Sequence, residues 1–344
     1  MSNVANITID HTKVDSDLTD FPIFIDLSDL PDSFWNTVSN GGGDIRVYKE
    51  DGTTQLAREV VSCDTGAKTG EMHLNYDGTL SSSSDITIQV WANGSSSEPA
   101  SDSTYGSENV WSDYEGVYHL ENANDSTSNG SDGTVHGATS GATGQVGDCY
   151  DFDGSNDSIE LPNRASLGNS FTMSAWINTT SPSAYQKIIH YRPTTSTDND
   201  ALRFQTINGN FQALVIDDSG SGSGGYKSYS SNTALSANTW YFFNIVWDGT
   251  NLDIFLNGST DTPYDKHVDN SITIGTSTQI RAIGSHMDLA DDFYDGKIDT
   301  VRLRKNALSA TWISTEYNNQ SSPSTFYTAS EPVTENTSNF FQFF

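Results

Sequence analysis

The chain has 344 residues, and its 45 acidic against 16 basic side chains give a formal net charge of −29. Such a surface repels nucleic-acid phosphates and anionic membranes, which argues against a nucleic-acid partner. It leaves two compatible readings: solubility in a salty or extracellular setting, and a store of carboxylates for calcium. No apolar stretch approaches the ~20 residues needed to cross a bilayer, so no membrane insertion is expected.

Helix formers are sparse, and runs rich in Val, Ile, Phe, Tyr and Trp alternate with Ser/Thr/Asn/Asp/Gly clusters. That pattern predicts an all-β protein of two domains. Residues 1–97 read as an N-terminal β-sandwich. Its strands are predicted at Ile7–Ile9, Phe21–Leu27, Asp44–Tyr48, Gln55–Val61, Glu71–Tyr76 and Asp85–Trp91, punctuated by short polar loops such as Asn40–Asp44. Residues 98–109 read as a polar linker with nothing to pack. Residues 110–327 form the second unit. In Trp240–Trp247 the large apolar residues at 241, 243, 245 and 247 predict one core-facing side, with Asn244 interrupting the other. Asp248–Asn251 and Asn257–Gly258 are hairpin signals on either side of Leu252–Leu256. Residues 328–344 read as a polar tail that ends in an aromatic anchor, Phe340, Phe341, Phe343 and Phe344. The two cysteines, Cys63 and Cys149, fall in different units and give no basis for a disulfide.

The second unit carries an ordered series of segments: Glu115–Leu120, Asp125–Gly130, Gly147–Gly154, Phe171–Ile177, Asn238–Gly249, Leu252–Gly258 and Phe293–Leu303. From end to end this series resembles the laminin-G-like (concanavalin A-like) superfamily, which implies a jelly-roll sandwich. The first unit carries Phe21–Ile23, Asp44–Val47, Glu50–Thr53 and the junction Val110–Leu120. It resembles an uncharacterised β-domain that commonly precedes laminin-G-like modules in bacterial surface proteins and phage virion proteins. The resemblance implies binding as a general role and names no ligand.

Three kinds of site are weighed. Glucanases of this fold that resemble the laminarinase group place Glu-x-Asp-x-x-Glu on one strand, which sets acid and nucleophile on one face. This chain has no Glu-x-Asp, and its 11 glutamates are scattered singly, so no catalytic residue is expected. The histidines are isolated in sequence and read as surface or strand-face residues. The laminin-G-like resemblance implies a structural Ca²⁺ held by Asp125 and Asp299, with Asn129 contributing. The alternative is an Asx-turn at Asp125 and an ion pair from Asp299 to Arg302 or Arg304. For a sugar, planar aromatics and polar neighbours in long loops are the candidates: Tyr185, Tyr191, Arg192, Tyr226 and Tyr229. The alternative is that these tyrosines prop up loops or cover the sandwich edge.

Two functions compete. One is a non-enzymatic phage virion structural or adhesion protein, with a laminin-G-like domain for a glycan or partner surface and other virion proteins or its own copies as partners. The Met1–Asp10 segment has neither a basic n-region nor an apolar h-region; release by lysis of an infected host would need no leader. The other is a carbohydrate-binding module pair from a secreted bacterial surface protein. In either setting the four terminal phenylalanines are expected to dock on another chain, with folding back onto the chain's own jelly roll as the alternative.

Overall fold

The computed structural model describes residues 1–165, 167–193, 202–217, 225–268, 272, 274, 278–286 and 288–332. The two-sandwich all-β reading holds. The Phe340–Phe344 anchor lies outside the described residues.

The first sandwich packs a five-stranded sheet on a three-stranded one. Ser2–Ile9 pairs with Ile86–Ala92 on one side, Ile7 opposite Ile88. Its alternation sends Ile7 and Ile9 into a core shared with Val47, Ile88 and Val90. The facing sheet is Pro22–Asp26, Thr69–Asn75 and Arg58–Asp64, in that order. It contributes Ile23, Ile25, Met72 and Leu74 to the same core.

The chain's last described segment completes this sandwich, which corrects the expected boundaries. Tyr327–Ser330 forms the strand on the other side of Ser2–Ile9, with Ile9 opposite Tyr327 and Asn6 opposite Ser330. Before it runs a helix, Ala310–Ser321, whose N-terminus is capped by the Ser309 hydroxyl accepting from Trp312 N–H at 3.1 Å. Trp312, Phe326 and Tyr327 all lie in the first sandwich's core. The expected linker is also packed. Arg58, fully buried, makes a two-pronged pair with Glu98, and Arg58 N–H donates to the Tyr105 carbonyl. A paired charge thus anchors a stretch that has no apolar residue able to do so.

Among the described residues, the second sandwich has two eight-stranded sheets. In one, Asp295–Arg304 pairs with Phe171–Thr179, and Phe171–Thr179 pairs with Tyr241–Trp247. Tyr114–Tyr118 and Asp148–Asp153 share the far side of Asp295–Arg304. Phe243 and Trp247 face a core with Phe204 and Phe211 of the second sheet, Phe243 stacking on Phe211 at 3.6 Å between centroids. The other face of Tyr241–Trp247 is buried as well. Phe242 and Val246 meet Trp176, Phe255, Phe24 and Ile313 in a separate cluster, so a strand expected to have one buried face has two. Alternation cannot distinguish a solvent face from one covered by a distant helix.

The covering helix binds both sandwiches through its amides. Asn319 Oδ1 accepts from Phe24 N–H at 2.7 Å and its Nδ2 donates to the Phe24 carbonyl at 2.9 Å. Pro22–Asp26 is an edge strand of its sheet, so Asn319 supplies the two hydrogen bonds a neighbouring strand would have made. One residue on, Gln320 Oε1 accepts from Trp176 Nε1 of the second sandwich at 2.6 Å. Asn319→Ala is expected to leave the Phe24 amide and carbonyl buried and unpaired, at about 1–3 kcal/mol for each group. Chemical denaturation checks this, and a loss under about 1 kcal/mol contradicts it.

Candidate functional site

The sandwiches meet on the outer face of the three-stranded sheet. Register aligns Phe24, His73 and Glu59 in one row and Asp26, Glu71 and Ser62 in the next. The pleat that sends Met72 and Leu74 into the core turns Glu71 and His73 outward. Trp111, His119 and Arg302 lie on them. His73 is sandwiched, with ring centroids 5.4 Å from Phe24, 5.2 Å from Trp111 and 4.7 Å from the stacked ring of His119.

The polar atoms of this seam form one network. His73 Nε2 is 2.7 Å from Glu71 Oε1, and His119 Nδ1 is 2.9 Å from the same oxygen. His119 Nε2 is 3.0 Å from Glu59 Oε2, which also accepts from Trp111 Nε1–H. Arg302 lies over the Trp111 ring and pairs with Glu316 at 2.6 Å. Burial disfavours charge on His119, but Glu59 and Glu71 outweigh it and push the imidazole up to about 10. Burial, with His119 beside it, drives His73 well below its ordinary value, so it is neutral. Burial would raise Glu59, yet His119 holds it below the ordinary carboxylate value; burial lifts Glu71. The histidines expected on surfaces or open strand faces are therefore, at positions 73 and 119, side by side in the interior. Glu71-x-His73 on one strand face was the available signal. It reads the same whether that face meets water or a second domain.

Beside the seam opens a cleft of about 810 Å³ between the sandwiches. Asp26, Asn40, Ser62 and Asp64 line it from the first, and Glu121, Gln145, Gly147 and Asp148 from the second. Ser62 Oγ–H donates to Glu121 Oε1 at 2.7 Å across the junction. Gly147 closes over Glu71: its φ is +68°, and a Cβ there would sit 2.3 Å from Glu71 Oε2. That oxygen is buried and has no hydrogen-bond partner. A second cleft of about 430 Å³, lined partly by Glu59, His119 and Asp125, lies on another side of the same network.

The expected metal residues are structural hydrogen-bonders. Asp125 Oδ1 accepts from Val117 N–H and Thr127 N–H, and Oδ2 accepts from Ser131 N–H. Asn129 Oδ1 accepts from the Arg164 guanidinium, and its Nδ2–H donates to the Glu115 carbonyl. Asp299 Oδ2 accepts from Gln145 and Val146 N–H at 2.7 and 2.8 Å, and Oδ1 from the Thr300 hydroxyl. These oxygens face N–H and O–H donors, so the three residues do not fit a calcium cage. Nor does Asp299 pair with an arginine: Arg302 takes Glu316 and Arg304 takes Asp113.

Among the expected sugar contacts, Tyr191 and Tyr229 belong to the jelly-roll core, because their strands turn them inward. Tyr185 is exposed beneath Lys187 Nζ, 3.8 Å from its ring centroid. Tyr226 is exposed and stacks on His267 at 4.0 Å. The Arg192 side chain and the loops at 194–201 and 218–224 lie outside the described residues. The structure therefore brings no two of these five together as a described platform.

A family model for the concanavalin A-like lectin/glucanases superfamily matches residues 153–314. The larger sandwich is a concanavalin A-like domain. Among solved structures, domain 4 of AbnA, an extracellular GH43 arabinanase from Geobacillus stearothermophilus in complex with arabinotriose, is similar at 18% identity. That match covers 60% of this chain and 98% of that one, with a TM-score of 0.47. The binding domain of botulinum neurotoxin serotype G is similar at 17% identity over 56% of this chain and 47% of its own, TM-score 0.42. The binding domain of Paraclostridial Mosquitocidal Protein 1 follows at 14%, 59% and 52%, TM-score 0.43. This chain thus spans about half the length of each toxin chain. No curated protein matches the sequence.

Two outcomes follow from this geometry. Burial first, and Glu71 among the charges, push the Asp299 carboxyl up from 3.8 to about 8, against the pull of its hydrogen bonds. A folded value above the unfolded one means stability is fully present below pH 3.8 and is lost as pH rises through about 8. Asp299→Asn keeps an acceptor for the two amides and removes the charge. Its melting temperature relative to the parent is expected to rise between pH 5 and pH 9; a flat difference contradicts the assignment. Gly147→Ala is expected to destabilise by roughly 1–2 kcal/mol from the left-handed backbone alone, and further by displacing Glu71. A thermal melt unchanged from the parent would show that Gly147 does not sit as described.

Proposed function

We propose that the protein is a non-enzymatic glycan-binding protein, displayed on a virion or cell surface, that holds a neutral oligosaccharide in the cleft between its sandwiches. The observation that carries this reading is the cleft itself. Its volume suits a short oligosaccharide. Its walls converge carboxylates and amides, the groups that bind sugar hydroxyls, from two domains whose relation is fixed by a buried network. Asp26, Asp64, Glu121 and Asp148 repel sialic acids and uronates and accept hydrogen bonds from uncharged hydroxyls. The matched family takes in both lectins and glucanases; the missing Glu-x-Asp strand motif favours binding over cleavage. The acidic composition suits an external setting, and both a virion protein and a secreted surface protein would use the cleft in the same way.

The test is a glycan array followed by calorimetry. Neutral oligosaccharides are expected to bind and acidic ones not. Asp148→Asn and Asn40→Ala are expected to weaken binding at least tenfold with the melting temperature kept. Binding lost instead with Tyr226→Ala would move the site to the exposed tyrosine at the jelly-roll edge. Release of shortened sugars would overturn the non-enzymatic reading.

A further inference from the structure

Glu71, His73 and His119 each present one ligand atom, and these atoms lie within 4.8 Å of one another in the buried seam. We propose that they form a site for a divalent transition-metal ion, zinc above others, that ties the first sandwich to the second. Two imidazoles and one carboxylate are the donor set that zinc prefers, and one that calcium, which takes oxygen, does not.

Four observations converge on the site. Hydrogen bonding alone leaves it incomplete: Glu71 Oε2, His73 Nδ1 and His119 Nδ1 are all buried without a hydrogen-bond partner. His119 Nδ1 stands 2.9 Å from Glu71 Oε1 yet makes no well-aligned bond to it. Next, the far nitrogen of His119 meets the Glu59 carboxylate at 3.0 Å, and Glu59 is in turn held by Trp111. A carboxylate behind an imidazole fixes its ring and tautomer for a metal. The charges also call for a cation. Glu59 and Glu71 bring two carboxylates into a buried space against one imidazole, His119, and the nearby guanidinium of Arg302 is committed to Glu316, so the carboxylates outnumber the groups that answer them. Finally, the ligands come from elements that must be fixed together. Glu71 and His73 stand on Thr69–Asn75, while His119 follows directly on Tyr114–Tyr118 of the second sandwich. The unpartnered Glu71 Oε2 lies directly under Gly147, which also lines the large cleft.

This inference is independent of the glycan reading and is tested without any sugar. The full chain, carrying no histidine tag, is stripped with a chelator, dialysed, and titrated with zinc chloride by calorimetry; metal content is measured after gel filtration. One zinc per chain is expected, with micromolar or tighter affinity, a raised melting temperature, and no competition from millimolar calcium. Cobalt(II) in its place is expected to give visible absorption bands of a low-coordinate nitrogen–oxygen site. His73→Ala and His119→Ala are expected to abolish the bound equivalent, and Glu59→Gln to weaken it at least tenfold. If the stripped parent chain takes up no zinc, the proposal fails whatever the variants do. It also fails if a folded His73→Ala chain keeps the full equivalent, because the ion would then sit at an exposed group such as Asp10, His11 and Asp85.

Discussion

Two carboxylates and an imidazole stand on a sheet face that a second domain covers, and the rest of the junction is arranged around satisfying them. Taking such groups out of water costs several kcal/mol per ion unless each finds a partner. Glu59 finds His119 and Trp111, and Glu316 of the helix finds Arg302. An interface of this kind is weak as a source of stability. It is strong as a source of definition, because a slip of either sandwich would strand several charges at once. The cleft inherits that definition, because its two walls belong to the sandwiches that the network holds together.

The helix at Ala310–Ser321 completes the junction by an unusual route. Its buried face is mostly polar, with Thr315, Glu316, Asn319 and Gln320 inside. Asn319, Gln320 and Glu316 meet Phe24, Trp176 and Arg302 in turn, while the Thr315 hydroxyl donates to the Thr311 carbonyl of its own helix. The first sandwich is therefore discontinuous in sequence. Ser2–Ile9 gains its outer neighbour only when Tyr327–Ser330 returns, after the whole jelly roll has intervened. Contacts of such long sequence separation form late, since loop closure must precede the pairing that rewards it. Until then the Ser2–Ile9 strand is an exposed edge.

The sequence carried the fold class well, because strand alternation and Asn-Gly or Asp-Gly turns are local signals. Phe171–Ile177, Tyr241–Trp247 and Leu252–Leu256 all lie in strands close to where their patterns put them. The helix was illegible for the opposite reason. A stretch whose buried side is Thr, Glu, Asn and Gln has no apolar periodicity to detect. The site was legible only in fragments. Glu71-x-His73 is visible on one strand, but nothing local says that His119, nearly fifty residues on, will stack against it. The aromatic residues chosen for sugar contact failed where strand phase decided the matter: Tyr191 and Tyr229 point inward, and a tyrosine's identity does not reveal its phase.

The resemblance to laminin-G-like domains implies a calcium ion at Asp125 and Asp299, and their hydrogen bonds give both residues a part in the fold. Asp125 folds its own loop by collecting the amides of residues 117, 127 and 131. Asp299 reaches out of the jelly-roll sheet to collect the amides of Gln145 and Val146. That grip places Val146 in the apolar cluster between the domains and sets Gly147, the next residue, over Glu71. The loop cannot shift to relieve the crowding, because Val146 is fully buried and a side chain at Gly147 would strike the carboxylate. A single buried aspartate in the jelly roll thus fixes one wall of the large cleft and the roof of the histidine–glutamate seam together, which couples that cleft to the buried charges beneath it.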